Sequence, residues 1–299
     1  MLPRILYIGL AVLLGVSLSS AALTDQQKAQ IDQITGAKGV YNAAEDTHKV
    51  SFPRTDVKVR VDGWPMQPFM GLTSWAAFTA TQDGQATVMG DLTLFEDEVN
   101  PVMSVLLENG LEVTALHNHF FFDSPRVMFL HIGGLGSVEQ LAIGVRKALD
   151  KVQEIRRSAP APRSSFSGPA IPEKSSITPG PLEQMLGAKG LANEGMLKFT
   201  FGRKAKVHGS DVGNQMGVNT WAAFAGSDGT AFVDGDFVTR EAELHGVLKA
   251  LRQGGINIVA IHSHMVGEDP RYIFLHYWGK GRTSDLASSL KAALDTQSK

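Results

Sequence analysis

Val113-Thr114-Ala115-Leu116-His117-Asn118-His119, followed after a turn by Phe129-Leu130-His131, is answered 145 residues later by Ile258-Val259-Ala260-Ile261-His262-Ser263-His264 and Phe274-Leu275-His276. Six of the nine histidines therefore fall into two matching triplets. The β-branched, alternating residues ahead of each triplet read as a strand, in which side chains two apart share a face. Val113, Ala115, His117 and His119 are expected on one face, and Ile258, Ala260, His262 and His264 on its copy. His131 and His276 sit on the returning strand, where antiparallel pairing brings them opposite or diagonal to His117 and His262. Three imidazoles at one point can hold a metal and leave a position open for water or substrate. A single histidine is more often a packed residue hydrogen-bonded within the fold, but a triplet kept in both copies favours ligands.

The match extends outward. Pro125-Arg126 corresponds to Pro270-Arg271, Gly90-Asp91 to Gly235-Asp236, Trp75-Ala76-Ala77-Phe78 to Trp221-Ala222-Ala223-Phe224, and Gly36-Ala37-Lys38-Gly39 to Gly187-Ala188-Lys189-Gly190. Matching blocks in one order identify a duplicated domain. The boundaries read as a signal peptide over 1–22, a first repeat over 23–156, a Pro/Ser-rich linker over 157–181 and a second repeat over 182–299. A chain of 299 residues, 43% hydrophobic, suits two cores.

Each repeat reads as strand, strand, helix, strand, strand, helix. Strands are expected at 75–81 and 86–94 around the turn Asp83-Gly84, then a helix from Glu96 to Asn109 ended by Gly110. Strands follow at 111–119 and 126–132, then a helix at 138–152, whose counterpart is 284–294. The fold class is α+β, with antiparallel sheets carrying helices on one face. Trp75, Trp221, Phe78 and Phe224 are assigned to the core.

Arg4 precedes an apolar stretch from Ile5 to Leu18, and Ser20-Ala21-Ala22 offers the small residues of a cleavage site. The stretch is shorter than the ~20 residues a bilayer span needs, so a periplasmic or secreted protein with no stable membrane anchor after cleavage is expected. With no cysteine, disulfides, thiolate ligands and a lipid-bearing cysteine are excluded. A net charge of −2 gives no footprint for nucleic acid. The expected partners are a small molecule or metal ion, with the two repeats free to pack on each other.

Other repeated residues have two readings. Glu98 and Glu243, in the first turn of the central helix, are weak candidates for a general base or fourth ligand, against the commoner role of an acid at a helix N-terminus. Asp91 and Asp236 could reach the histidines, with a strand-end role as the alternative. Arg126 and Arg271 could grip an anion in two-pronged fashion or pair with Asp123 and with Glu268 and Asp269. Phe120-Phe121-Phe122 could wall a pocket or fill the interface between copies. His48, His208 and His245 read as local structural residues.

Ala115-Leu116-His117-Asn118-His119, Ser124-Pro125-Arg126, Gly90-Asp91, Glu98-Val99-Asn100-Pro101-Val102-Met103 and Leu107-Glu108-Asn109-Gly110 resemble the pattern of the LppY/LpqO family of exported bacterial proteins. The second copy departs from it at Ser263 and at Glu268-Asp269, and the eponymous lipoproteins' acylated cysteine has no equivalent. The resemblance implies an envelope location and a duplicated domain but no activity. Two functions stay open: a metal site, with zinc or another transition metal as cofactor, for metal handling or hydrolysis; or a non-catalytic envelope binding module with structural histidines. An anion pocket of histidine and arginine is a third. Whether the protein is an enzyme is left open.

Overall fold

The computed structural model describes residues 22–297. The first copy runs α1 (Asp25–Thr35), β1 (Val40–Asn42), β2 (Thr47–Pro53), β3 (Arg60–Val61), β4 (Trp64–Pro65), β5 (Thr73–Ala80), β6 (Ala86–Phe95), α2 (Glu96–Glu108), β7 (Glu112–His117), β8 (Asp123–Ser124), β9 (Val127–Gly136) and α3 (Val138–Ser158). The second runs α4 (Pro179–Leu186), β10 (Leu191–Asn193), β11 (Met196–Gly202), β12 (Ala205–Val207), β13 (Ser210–Val212), β14 (Asn219–Ser227), β15 (Thr230–Arg240), α5 (Glu241–Gln253), β16 (Asn257–His262), β17 (Tyr272–Gly281) and α6 (Thr283–Asp295). The expected signal segment lies outside the described residues, apart from its last residue, Ala22. No helix among them is long and apolar enough to cross a membrane.

The fold is α+β, and the copies do not keep separate sheets. Twelve strands form one antiparallel sheet in the order β1-β2-β5-β6-β9-β7-β16-β17-β15-β14-β11-β10. The halves meet where Leu116 lies opposite Ile261, its own counterpart, so a local twofold passes through that pair. One apolar core joins residues of all six helices to a single sheet face across both copies. The result is a two-layer sandwich whose other face carries the histidines.

A β-bulge decides which way those histidines point. In β7 the register slips between Val113 and Ala115, and in β16 between Ile258 and Ala260. The extra residues are Thr114 and Val259. Simple alternation would keep Val113 with the histidines, but the bulge turns buried Val113 and Leu116 to the helix side and Ala115 and His117 to the other. Val113 and Ile258 therefore leave the face expected for them. The second bulge is held by Asn100 of α2, whose amide accepts from Ile258 N at 2.7 Å and donates to Ile258 O at 3.1 Å.

Trp75 and Trp221 are also not core residues. Three positions apart on one strand, Trp75 and Phe78 face opposite ways: Phe78 is buried among the helices, while Trp75 lies on the open face under the Lys49 ammonium, 4.1 Å away. Lys198 lies over Trp221 in the same manner.

The stretch between α3 and α4 is extended but packed. Phe166 stacks on Trp278 with ring centroids 4.6 Å apart, Ile177 is buried, and Ser176 N donates to Gly226 O at 2.7 Å. The Pro/Ser-rich linker thus lies against the second copy.

Candidate metal centre

Each site is assembled by cross-strand pairing on the open face. Asp91 of β6 is directly opposite His131 of β9, which is opposite Ala115 of β7. Asp236, His276 and Ala260 repeat that row in the second copy. The glycine before each aspartate is sterically required: a Cβ on Gly235 would lie 2.2 Å from Trp221 O and 2.3 Å from the Tyr277 ring, and one on Gly90 would lie 2.6 Å from Trp75 O. Without a side chain there, the Tyr277 hydroxyl donates to Trp221 O at 2.8 Å beneath the site.

Beyond β7 and β16 the chain turns and lays a second histidine back over the sheet. His264 stacks on Phe274 with centroids 3.5 Å apart, and His119 on Phe129 at 3.4 Å. His262 lies 5.0 Å from His264 and 4.7 Å from His276 between ring centroids; in the first copy His117 is 5.1 Å from both His119 and His131. The turn back to the next strand is fixed by a carboxylate accepting the main-chain N–H four residues on, Asp123 from Val127 at 2.6 Å and Glu268 from Tyr272 at 3.1 Å. A cis proline follows in each copy, Pro125 and Pro270.

Among the described residues, one group has three donor atoms close enough to share a cation: Asp236, His262 and His264, all within 4.8 Å of one another. His264 Nε2 lies 3.1 Å from His262 Nε2 and 3.1 Å from Asp236 Oδ2. A tetrahedron with metal–ligand bonds of ~2.0–2.1 Å has edges of roughly 3.3 Å. A nitrogen with at most one proton cannot donate to both neighbours, whereas a cation among them satisfies all three. Asp236 Oδ1 and Asp91 Oδ1 are buried without a hydrogen-bond partner.

Electrostatics keep the histidine donors available. Burial, then repulsion from His276 and His264, pushes His262 down to about 4, so its ring is neutral at physiological pH. Burial with repulsion from His117 lowers His119 in the same way. Burial raises the Asp236 carboxyl above its ordinary value despite its histidine neighbours.

The structure places the sequence candidates differently from one another. His276 is beside the group, with Nδ1 3.4 Å from Gly235 O. Asp236, which the triplet reading did not include, supplies the third donor atom of the close group, and His276 does not. Glu98 and Glu243 are elsewhere, at the starts of α2 and α5. Glu98 accepts from Arg54 at 2.8 and 2.9 Å and from Phe95 N, and pairs with Arg156; Glu243 accepts from Arg203 and Arg240 N. Their carboxylates tie helix starts to arginines, so neither is placed to act as a base at the histidines. Arg271 is exposed and pairs with Glu241 at 3.3 Å, and Arg126 is exposed just ahead of β9. Phe120 packs against Phe129, while Phe121 and Phe122 are exposed and fill no seam between copies.

The profile of a family described as a domain of unknown function, DUF1259, matches residues 29–151 and again 180–296. Comparison with curated proteins gives no match. Among solved structures the chain is similar to a trimeric bacterial microcompartment shell protein, PduB, at 12% identity over 86% of this chain and 89% of that one, with a TM-score of 0.21. It is similar to EtuB from Clostridium kluyveri at 11% identity over the same shares, with a TM-score of 0.20. At those scores neither likeness bears on function.

Proposed function

The chain belongs to the DUF1259 family and carries its domain twice, and from that premise we propose that it binds a transition metal on the open face of its sheet. Asp236, His262 and His264 are the ligands in the second copy, with His276 beside them; Asp91, His117, His119 and His131 are the twofold-related set. The observation that carries this reading is the trio of donor atoms around His264 Nε2, with two contacts of 3.1 Å.

Two imidazoles and a carboxylate suit zinc or ferrous iron better than an all-oxygen or thiolate-seeking ion. Three protein ligands leave coordination positions free, and exposed His264 puts them on the solvent side. A bound metal there would supply Lewis acidity and lower the pKa of a coordinated water, the chemistry of hydrolysis; metal handling needs only the binding. The anion pocket is the weaker reading, because a neutral His262 attracts no anion and Arg271 is engaged by Glu241. The LppY/LpqO affiliation and a place outside the cytoplasm belong to the same proposal, and fractionation of cells producing the full chain tests the location.

Elemental analysis of protein purified without a polyhistidine tag tests the metal. We expect close to one or two equivalents of zinc or iron per chain, with loss of the second-copy metal in His262→Ala/His264→Ala. Metal content at background, or unchanged in that variant, overturns the reading.

A further inference from the structure

The two copies build the same three turns beside their sites but surface them differently. In the first copy these are Asp62-Gly63-Trp64, the short 3-10 turn Pro68–Met70, and Phe120-Phe121-Phe122. They form one tip: β3 pairs with both β4 and β8, Asp62 N donates to Phe122 O at 3.2 Å, and the Phe120 ring lies 4.0 Å from where a Cβ on Gly71 would be. Trp64 is 64% exposed, Phe69 100%, Phe121 80% and Phe122 82%. The second copy has Ser210 for Trp64, Gln215 for Phe69 and Gly267 for Phe122, with a matching 3-10 turn at Asn214–Met216. The fold therefore does not require the aromatics.

Two more differences point the same way. Phe122 sits at φ 59°, where its counterpart Gly267 has φ 77°. A bulky residue in the left-handed region is strained by about 1 kcal/mol or more, and such strain persists where function favours the side chain. The cations beside the turns also differ in pairing. In the second copy Lys206 pairs with Asp211 and Arg271 with Glu241. In the first, Pro65 replaces that aspartate beside exposed Lys58 and Arg60, while Glu96 stands exposed at the place of Glu241 and carries no ion pair to exposed Arg126.

We propose that this tip docks the first copy's open face onto an anionic lipid bilayer. Protruding Trp and Phe side chains enter the headgroup region, where amphipathic and aromatic rings are favoured, and the unpaired Lys58, Arg60 and Arg126 meet anionic headgroups. A second copy of the chain is the poorer occupant. Weighted by their exposure, the four aromatics at roughly 200 Å² each offer on the order of 650 Å², short of the ~800 Å² per partner of a stable protein interface.

The test is co-sedimentation of the chain from Ala22 onward, which holds every element of the fold and omits the apolar N-terminal stretch, with phosphatidylglycerol/phosphatidylcholine vesicles. Binding is expected, weakened by salt and by loss of the anionic lipid. It should fall at least tenfold in Trp64→Ser/Phe69→Gln/Phe122→Gly, which installs the second copy's residues. Phe122→Gly alone should weaken binding while leaving Tm unchanged or higher, separating docking from folding. Absence of vesicle binding, or binding untouched by the triple variant, overturns the proposal. So does a dimer in sedimentation velocity that the triple variant dissociates, which would give the tip to self-association.

Discussion

Glu98 has no exposed surface, and its carboxylate is engaged by Arg54, Arg156 and Phe95 N. Removing it takes one carboxylate from each of two buried guanidinium groups, with Arg54 keeping Asp56 and Arg156 keeping Asp97, a loss toward the ~3 kcal/mol lower end for a broken buried pair. Glu98→Ala should therefore lower the denaturation midpoint sharply, while metal content of the folded fraction stays that of the parent. His262 makes a prediction about pH. Its folded pKa of about 4 lies below the 6.5 of an unfolded histidine, so the unfolded chain binds more protons between those values and metal-free stability falls as pH drops through that window. Asp236, raised above 3.8, acts in the opposite sense near the bottom of the window. Denaturant midpoints from pH 6.5 down to about 5 should thus fall more steeply for the parent than for His262→Asn; equal slopes would count against the assignment. The histidines were legible because the repeat marks them twice. Asp91 and Asp236 were legible only in part: each interrupts an apolar strand, Gly-Asp-Leu-Thr-Leu and Gly-Asp-Phe-Val-Thr, and a carboxylate mid-strand is the signal that places it opposite a histidine.

At the scale of elements, the bulges in β7 and β16 separate core residues from site residues within one strand. Asn100 reaches from α2 into the other copy to bridge Ile258 N and O, whereas its counterpart His245 has Nδ1 buried without a hydrogen-bond partner. Asn100→Ala leaves a buried donor and acceptor unpaired, worth about 1–3 kcal/mol. Equilibrium unfolding should register that loss, and a smaller one for His245→Ala; the reverse order would show that the bulge is held by something else. The central strands and helices followed from periodicity, with Ala86–Phe95 and Glu96–Glu108 close to expectation, whereas the leading helices Asp25–Thr35 and Pro179–Leu186 and the strands Thr47–Pro53 and Met196–Gly202 were not read. The bulges did not, because an extra residue in a strand is seen only against its partner's register. Strict alternation also could not place both Trp75 and Phe78 in the core.

Over the whole molecule, duplication has produced one sheet rather than two. The seam joins residues 116 and 261, a pairing no local pattern encodes, and α2 packs on α5 across it. This arrangement sets both histidine clusters on a single open face, related by the twofold, with the tightest donor geometry in the second copy. Crystals grown with zinc and measured at its absorption edge test this account most directly. An anomalous peak about 2.0–2.2 Å from His262 Nε2, His264 Nε2 and Asp236 Oδ2 is predicted, with a weaker, twofold-related peak beside Asp91, His117 and His119. No peak on that face, with the rings hydrogen-bonded to one another and to water, would contradict it.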